Sequence, residues 1–377
     1  MHQIQLGQVL DVAAVERELS LLWQDSAAKQ SDEGAVMRAR VANLIVFMPD
    51  RSQLQELDAT LQELSAVHPN RTLVNIGVRE ADDRDIELFI SSFYQSGQEE
   101  KRLSCEEIIL IARGRFVPEL PSAALPLLIS DLPTFLWWRD TLETDDRIFQ
   151  DFARAADRLI IDSLQVRTAR DTLLALAEAF SDGQPTQLAI SDINWARLTS
   201  WRALLASFYD APRCQTPLNR ITGVEIDYSP PEHEPEAIAP QALMLAGWLA
   251  SRLKWELSTE PVQPGNSTVR FFVLHDGRRI VVDLNRIERA ATKPGRLARA
   301  QLNAGEDDAT FVVSRHSQGL HLETQARLAG ITHPGKILTV RNRSTAQLLG
   351  RELEILSHDS VYERAVEYAA KILRYIR

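Results

Sequence analysis

Residues 41–48, VANLIVFM, form an apolar run, and DRSQLQELDATLQELSAV follows directly, with Leu54, Leu57, Leu61 and Leu64 at helical spacing. A strand with one wet face alternates apolar and polar residues, whereas an apolar run needs cover on both faces. Such a strand leading into an amphipathic helix is the repeating unit of a parallel sheet layered by helices. The pattern continues. RTLVNIGV (71–78) is a second buried strand. DIELFISSFYQ (85–95) and EEIILIAR (106–113) are two more, joined by the polar SGQEEKRLS. That short connection suits an antiparallel hairpin added to the sheet. PTFLWW (133–138) and RLIIDS (158–163) bracket the helical pattern DDRIFQDFARAA. Residues 1–163 therefore read as a Rossmann-like α/β domain with a mainly parallel sheet.

From residue 164 the pattern changes. Two helical segments, 164–180 and 193–210, joined by GQPTQLAISD, make 164–220 a helical connecting region. ITGVEIDY then reads as a strand, followed by the acidic, proline-rich SPPEHEPEAIAP, a surface loop. ALMLAGWLASRLKWEL (242–257) is apolar almost all round, as a buried helix would be. VRFFVLHDGRRIVVDLNR is a hairpin turning at Asp276-Gly277. DATFVVSRHSQGLHLETQA repeats the form, bending at Gln318-Gly319. A long helix closes the chain. Ser360 and Glu363 have capping-box spacing, and Val361, Ala365, Tyr368 and Ile372 form its apolar stripe. Residues 221–377 thus read as an α+β domain of antiparallel sheet and helices. Two domains suit 377 residues, which exceed what one core usually supports.

The formal net charge of -10 disfavours a nucleic-acid partner, which calls for a basic face. No uncharged apolar stretch reaches the roughly 18 residues of a membrane span. The start of the chain lacks a basic segment leading into an apolar run, so no secretory signal is expected. Two cysteines make no disulfide framework, and a reducing cytoplasm is the expected location.

The Rossmann-like pattern invites a nucleotide, yet no G-x-G-x-x-G or G-x-x-x-x-G-K-[ST] is present. The turn after the first strand, MPDRSQ, holds no glycine to let a phosphate approach the backbone. No cofactor is assigned. His316, His321 and Glu323 could approach across a hairpin, but solvated strand positions explain them as well, and paired cysteines for zinc are absent. There is no G-x-S-x-G nucleophile turn. Cys105, in LSCEE, has two carboxylates beside it, which disfavour a thiolate. Cys214, in APRCQTP, follows Arg213 and is the better candidate for a redox-responsive thiol. No catalytic residue emerges.

The unusual residues lie elsewhere. LPLLISDLPTFLWWRD, then ADRLIIDS, then DINWARLTSWRALLASFYD, and near the end LLGRELEILSHDSVYERAV, are long strings with tryptophans at fixed spacing. In that order they resemble the glucose-6-phosphate dehydrogenase assembly protein OpcA family, from about residue 40 to the C-terminus. The resemblance implies a non-catalytic partner of glucose-6-phosphate dehydrogenase, the NADP-using first enzyme of the oxidative pentose phosphate pathway. Such a partner assists that enzyme's oligomeric assembly and raises its activity. Some family members are linked to thioredoxin control through cysteines, which makes thioredoxin a further expected partner. The rival reading is an enzyme or sensor holding a sugar phosphate or nucleotide in the Rossmann-like domain.

Trp and Arg are enriched at interface hot spots, so the candidate partner-binding residues are Trp137, Trp138, Arg139, Trp195, Arg197, Trp201 and Arg202. Trp137 and Trp138 point to opposite faces of a regular strand. Either both are buried beneath helices, or one packs inside while the other reaches the surface near Arg139. Asp192 is placed to cap a helix starting at Ile193. On that helix Arg197 can touch Trp201, four positions on, and Arg202 shares the face of Trp195. Interdomain packing explains these residues equally well.

Overall fold

Ala42 to Met48 are buried without interruption, and so are the five residues Thr134–Trp138 beside them. Both runs lie in the middle of a sheet in the computed structural model, which describes residues 2–5, 11–28, 36–37, 40–82, 84–95, 102–181, 188–288, 292–305, 308–316, 321–339 and 343–376. The sheet's strands are β1 (His2–Gln5), β2 (Val36–Met37), β3 (Ala42–Met48), β4 (Asn70–Val78), β5 (Arg84–Gln95), β6 (Arg102–Arg113), β7 (Thr134–Trp138), β8 (Arg158–Ile161) and β9 (Ala189–Asp192). They lie in the order β1-β5-β6-β4-β3-β7-β8-β9, with β2 beside β6. From β6 to β9 every pair is parallel. β5 joins β6 antiparallel, as the hairpin reading expects. Starting at central β3, the chain adds β4 and β6 on one side, then β7, β8 and β9 on the other. This is the doubly wound order of dinucleotide-binding folds.

By contacts the chain divides into two units. The first comprises Met1–Asp162, Thr186–Ile193 and Arg343–His358. The helix Leu54–Ser65 buries Leu57, Leu61 and Leu64 on the sheet. The helix Arg147–Arg154 buries Ile148, Phe149 and Phe152, and Asp146 caps it by accepting the Ile148 N–H. Arg71, 2% exposed, pairs with Glu106 at 2.7 Å and with Glu16 of the Val12–Ala28 helix, tying that helix to the sheet. The stretch read as a helical connection contains edge strand β9, four residues too short to signal itself. A late segment also returns to this unit. Arg158 of β8 holds it through Glu352 Oε2 at 3.0 Å and the Ser357 carbonyl at 2.8 Å. Its helix Thr345–Glu352 is capped by Ser344, which accepts the Gln347 N–H.

The second unit comprises Ser163–Pro185, Asn194–Asn342 and Asp359–Arg377. Its strands are β10 (Gly223–Tyr228), β11 (Glu256–Leu257), β12 (Gln263–Pro264), β13 (Thr268–His275), β14 (Arg278–Arg286), β15 (Leu297–Ala304), β16 (Ala309–Arg315), β17 (His321–Leu328) and β18 (Ile331–Thr339). The order is β11-β13-β14-β10-β15-β16-β17-β18, with β12 beside β13. Only β10 and β14 pair in parallel among these described strands. Asp276 and Gly277 both take positive φ, 49° and 75°, as a two-residue hairpin turn needs. Gln318-Gly319 lies outside the described residues. The helix Pro240–Leu253 is buried nearly all round, as its composition predicts. At Gly247 its backbone meets that of the closing helix Ser360–Tyr375, leaving no room for a Cβ beside the Ala365 carbonyl. Asp359, not Ser360, caps that closing helix, accepting from the N–H groups of Val361 and Tyr362. The buried face accordingly runs through Tyr362, Ala365, Val366, Ala369, Ile372 and Leu373.

Candidate partner-binding site

β7 lies between β3 and β8, and Trp137 sits in register with Val46 and Ile160. An interior strand of a doubly wound sheet is covered on both faces. Trp137 and Trp138 are accordingly 0% and 1% exposed, and neither indole reaches the surface. Trp138 stacks on its register partner Phe47, with centroids 4.1 Å apart and planes 9° from parallel. Phe149 meets the same indole edge-on at 5.2 Å, and its Nε1 donates to the Thr141 carbonyl at 3.1 Å. Trp137 points to the other face, where the Arg139 guanidinium lies 4.8 Å from its ring. The Arg139 amide donates to the Phe47 carbonyl at 3.0 Å, and its Nη2 donates to Gln53 Oε1 at 2.8 Å. Arg139 Nε and Nη1 are buried and meet no acceptor among the described residues. Burial lowers the pKa of this guanidinium, against the opposing pull of Glu56 and Asp162.

This cluster occupies a telling position. In open α/β sheets the ligand crevice lies outside the carboxyl ends of the strands, where strand order reverses. Here that point falls between β3 and β7. On one face the stacked rings of Phe47, Trp138 and Phe149 pack beside it. On the other, Arg139 bonds Gln53, the residue preceding the Leu54–Ser65 helix.

In the second unit, the expected single helix over 193–210 is interrupted at Leu198, giving Ile193–Arg197 and Thr199–Ser207. Trp195 is 5% exposed and Trp201 2%. Trp195 Nε1 donates to Asp359 Oδ2 at 3.0 Å, and its ring lies 5.6 Å from that of Tyr362. Arg202 does share the face of Trp195, with its guanidinium 3.6 Å from the ring centroid. Burial pushes the Arg202 pKa down to about 10, while Asp359 pulls the other way. Arg197 is half-buried. A second set of buried hydrogen bonds adjoins. Asn194 Nδ2 donates to Ser163 Oγ at 3.0 Å, Gln241 Nε2 to Asn194 Oδ1 at 2.8 Å, and the Leu297 amide to Gln241 Oε1 at 3.1 Å. Sequence reasoning missed Asp359, one position before Ser360, because Ser360 and Glu363 have capping-box spacing. Gln53 and Phe47 were missed because only the register of β3 against β7 brings them to the tryptophans.

Cys214 lies in the short helix Pro212–Leu218 and is 3% exposed. A buried sulfur has little access to an oxidant, which weighs against the redox role its Arg213 neighbour suggested. The Cys105 side chain lies outside the described residues. The His316 amide donates to the His321 carbonyl at 2.9 Å, and their rings stand 6.3 Å apart. Among the described residues no three His, Cys, Asp or Glu side chains are grouped to hold a metal ion. No helix among them is long and apolar enough to cross a membrane.

Residues 61–178 match the glucose-6-phosphate dehydrogenase subunit N-terminal domain, and residues 188–366 match the C-terminal domain of the same subunit. The "Putative OxPP cycle protein OpcA" of Nostoc punctiforme is 27% identical over 304 residues, covering 78% of this chain and 63% of that protein. Its namesake in Synechocystis is 26% identical over 320 residues, covering 82% and 65%. The chain thus spans under two thirds of the length of these relatives. Among solved structures, the aldose-aldose oxidoreductase from Caulobacter crescentus complexed with glycerol superposes with a TM-score of 0.52 at 8% identity. That match covers 90% of this chain and 96% of the oxidoreductase, and it shows the shared fold alone.

Proposed function

Because the chain belongs to the glucose-6-phosphate dehydrogenase assembly family OpcA, we propose that it is a non-catalytic partner of glucose-6-phosphate dehydrogenase that assists its assembly and raises its activity. One observation carries the non-catalytic part. The strand order is the doubly wound one of dinucleotide-binding folds, but at the point where strand order reverses Phe47, Trp138 and Phe149 pack together, Arg139 bonds Gln53, and the turn after β3 holds no glycine. In this reading the sheet serves as a scaffold and not as a cofactor site. Its effect on a dehydrogenase is then a coupling between two binding events, typically about 1–3 kcal/mol or 5–150-fold in affinity. Steady-state kinetics of the cognate dehydrogenase, titrated with this chain, test the proposal. The expected result is a lower apparent KM for glucose 6-phosphate or a higher kcat, saturating with the chain.

A second reading, a sensor for a sugar phosphate or nucleotide, has one observation in its favour. Arg139 keeps two buried nitrogens without an acceptor beside the amino end of the Leu54–Ser65 helix. Thermal shift of the chain alone with NADP, glucose 6-phosphate and 6-phosphogluconate separates the readings. A ligand at 100 times its Kd stabilises by about 2.7 kcal/mol. The partner reading expects no shift.

A further inference from the structure

Glu107 is an unusual residue for the middle of a sheet. It lies on β6 in register with Thr72 of β4 and Ser91 of β5, and it is 1% exposed. Ser91 Oγ donates to its Oε2 at 2.6 Å. Its Oε1 is buried and meets no donor among the described residues. Asp58, on the Leu54–Ser65 helix packed over these strands, repeats the defect, because its Oδ1 is also buried without a donor. Each of the two carboxyl groups thus has one buried oxygen without a donor, Asp58 being half-buried overall and near enough for its charge to act on Glu107. Burying an unpaired carboxylate is costly, and two near one another cannot both ionise cheaply.

The neighbouring charges give no relief. Further along β5, Glu87 is engaged by Arg113 of β6 and by Arg51. Arg71 of β4 is taken by Glu106 and Glu16. Thr72 turns its hydroxyl to Asn70 Oδ1 at 2.5 Å. Desolvation first, and then the charge of Asp58, push the Glu107 pKa up to about 7. Burial raises that of Asp58 as well.

We propose that Glu107 and Asp58 hold one proton between them in the folded chain at neutral pH, and that its release is a switch loosening the Leu54–Ser65 helix from β5 and β6. The proton turns one acceptor oxygen into a donor and removes one of two adjacent charges. Its loss restores both the unpaired acceptor and the repulsion. The device acts within the first unit and does not depend on the identity of the partner.

Hydrogen exchange of the full chain from pH 6 to 8.5, corrected for the intrinsic pH dependence of amide exchange, tests this. Local opening over 54–65 should become more frequent as pH rises toward about 7, by up to about tenfold per pH unit for one proton, and should level off above it. Glu107→Gln keeps the shape and supplies a permanent donor, so it should flatten that profile. Infrared difference spectra of the unmodified chain provide a second readout that needs no variant. A buried protonated carboxyl band should disappear across neutral pH. Flat exchange in the unmodified chain, an unchanged profile in Glu107→Gln, or absence of that band would each overturn the proposal.

Discussion

The indole Nε1 of Trp195 donates to Asp359 Oδ2 at 3.0 Å, while Oδ1 of the same carboxylate accepts the N–H groups of Val361 and Tyr362 at 3.0 Å each. One side chain therefore joins two strings that lie 164 positions apart and caps the closing helix. Arg202 covers the same indole at 3.6 Å. The tryptophan of DINW serves as a packed, hydrogen-bonded anchor within the second unit.

Replacing Asp359 should be costly for that reason. A lost cap removes about 0.5–2 kcal/mol, and the orphaned indole N–H adds about 1–3 kcal/mol. Asp359→Ala should lower unfolding stability by an amount in the range of those two terms combined. Asp359→Asn keeps an acceptor for both roles and should cost clearly less. Urea denaturation of the two variants checks the order.

The tryptophan pair of β7 should behave as core. Trp138→Ala removes a ring stacked on Phe47 and should cost about 3–5 kcal/mol of stability. Arg139→Ala removes a cation whose burial already opposes its charge, so its melting temperature should stay close to that of the unmodified chain. An early-melting Arg139→Ala beside an unaffected Trp138→Ala would contradict the packing described.

Much of this architecture is legible in the sequence, and the gaps have physical causes. β3, β4 and β7 announce themselves because strands covered on both faces become apolar runs. Asp276-Gly277 announces its hairpin because both positions need positive φ. Alternation places Trp137 and Trp138 on opposite faces, but it does not say that both faces are covered. That depends on Phe149 and Gln53, which reach the site only through tertiary register. β9 is four residues long and sits in a stretch dominated by helical spacing. The return of Thr345–Glu352 to the first unit rests on Arg158 and Glu352, a pair that no local pattern reveals.

Stability should depend on pH in a definite direction. The Glu107 pKa is raised in the folded chain to about 7, above the ordinary carboxyl value that the unfolded chain restores. Its contribution is thus fully present below that ordinary value and is lost as pH rises through about 7. The slope over that window is at most about 1.4 kcal/mol per pH unit for one group. Unfolding free energies of the unmodified chain and of Glu107→Gln, compared at pH 5, 6, 7 and 8, should converge at the acid end and separate toward pH 8.

Cys214 should react slowly while the chain is folded, because its sulfur is buried. Alkylation of a Cys105→Ser variant should accelerate sharply on adding denaturant. Any effect of the chain on the dehydrogenase should survive Cys214→Ser and should not respond to reduced thioredoxin. Rapid native labelling of Cys214 would reopen redox control through that thiol.

A chain that works through glucose-6-phosphate dehydrogenase and performs no hydride transfer itself should reveal both properties in one experiment. That experiment is size-exclusion chromatography with light scattering, with NADPH formation assayed across the same fractions. The chain should co-elute with the dehydrogenase, shift it toward its assembled form, raise activity in those fractions, and yield no NADPH alone. Separate elution with unchanged activity, or NADPH formed by the isolated chain, would contradict it.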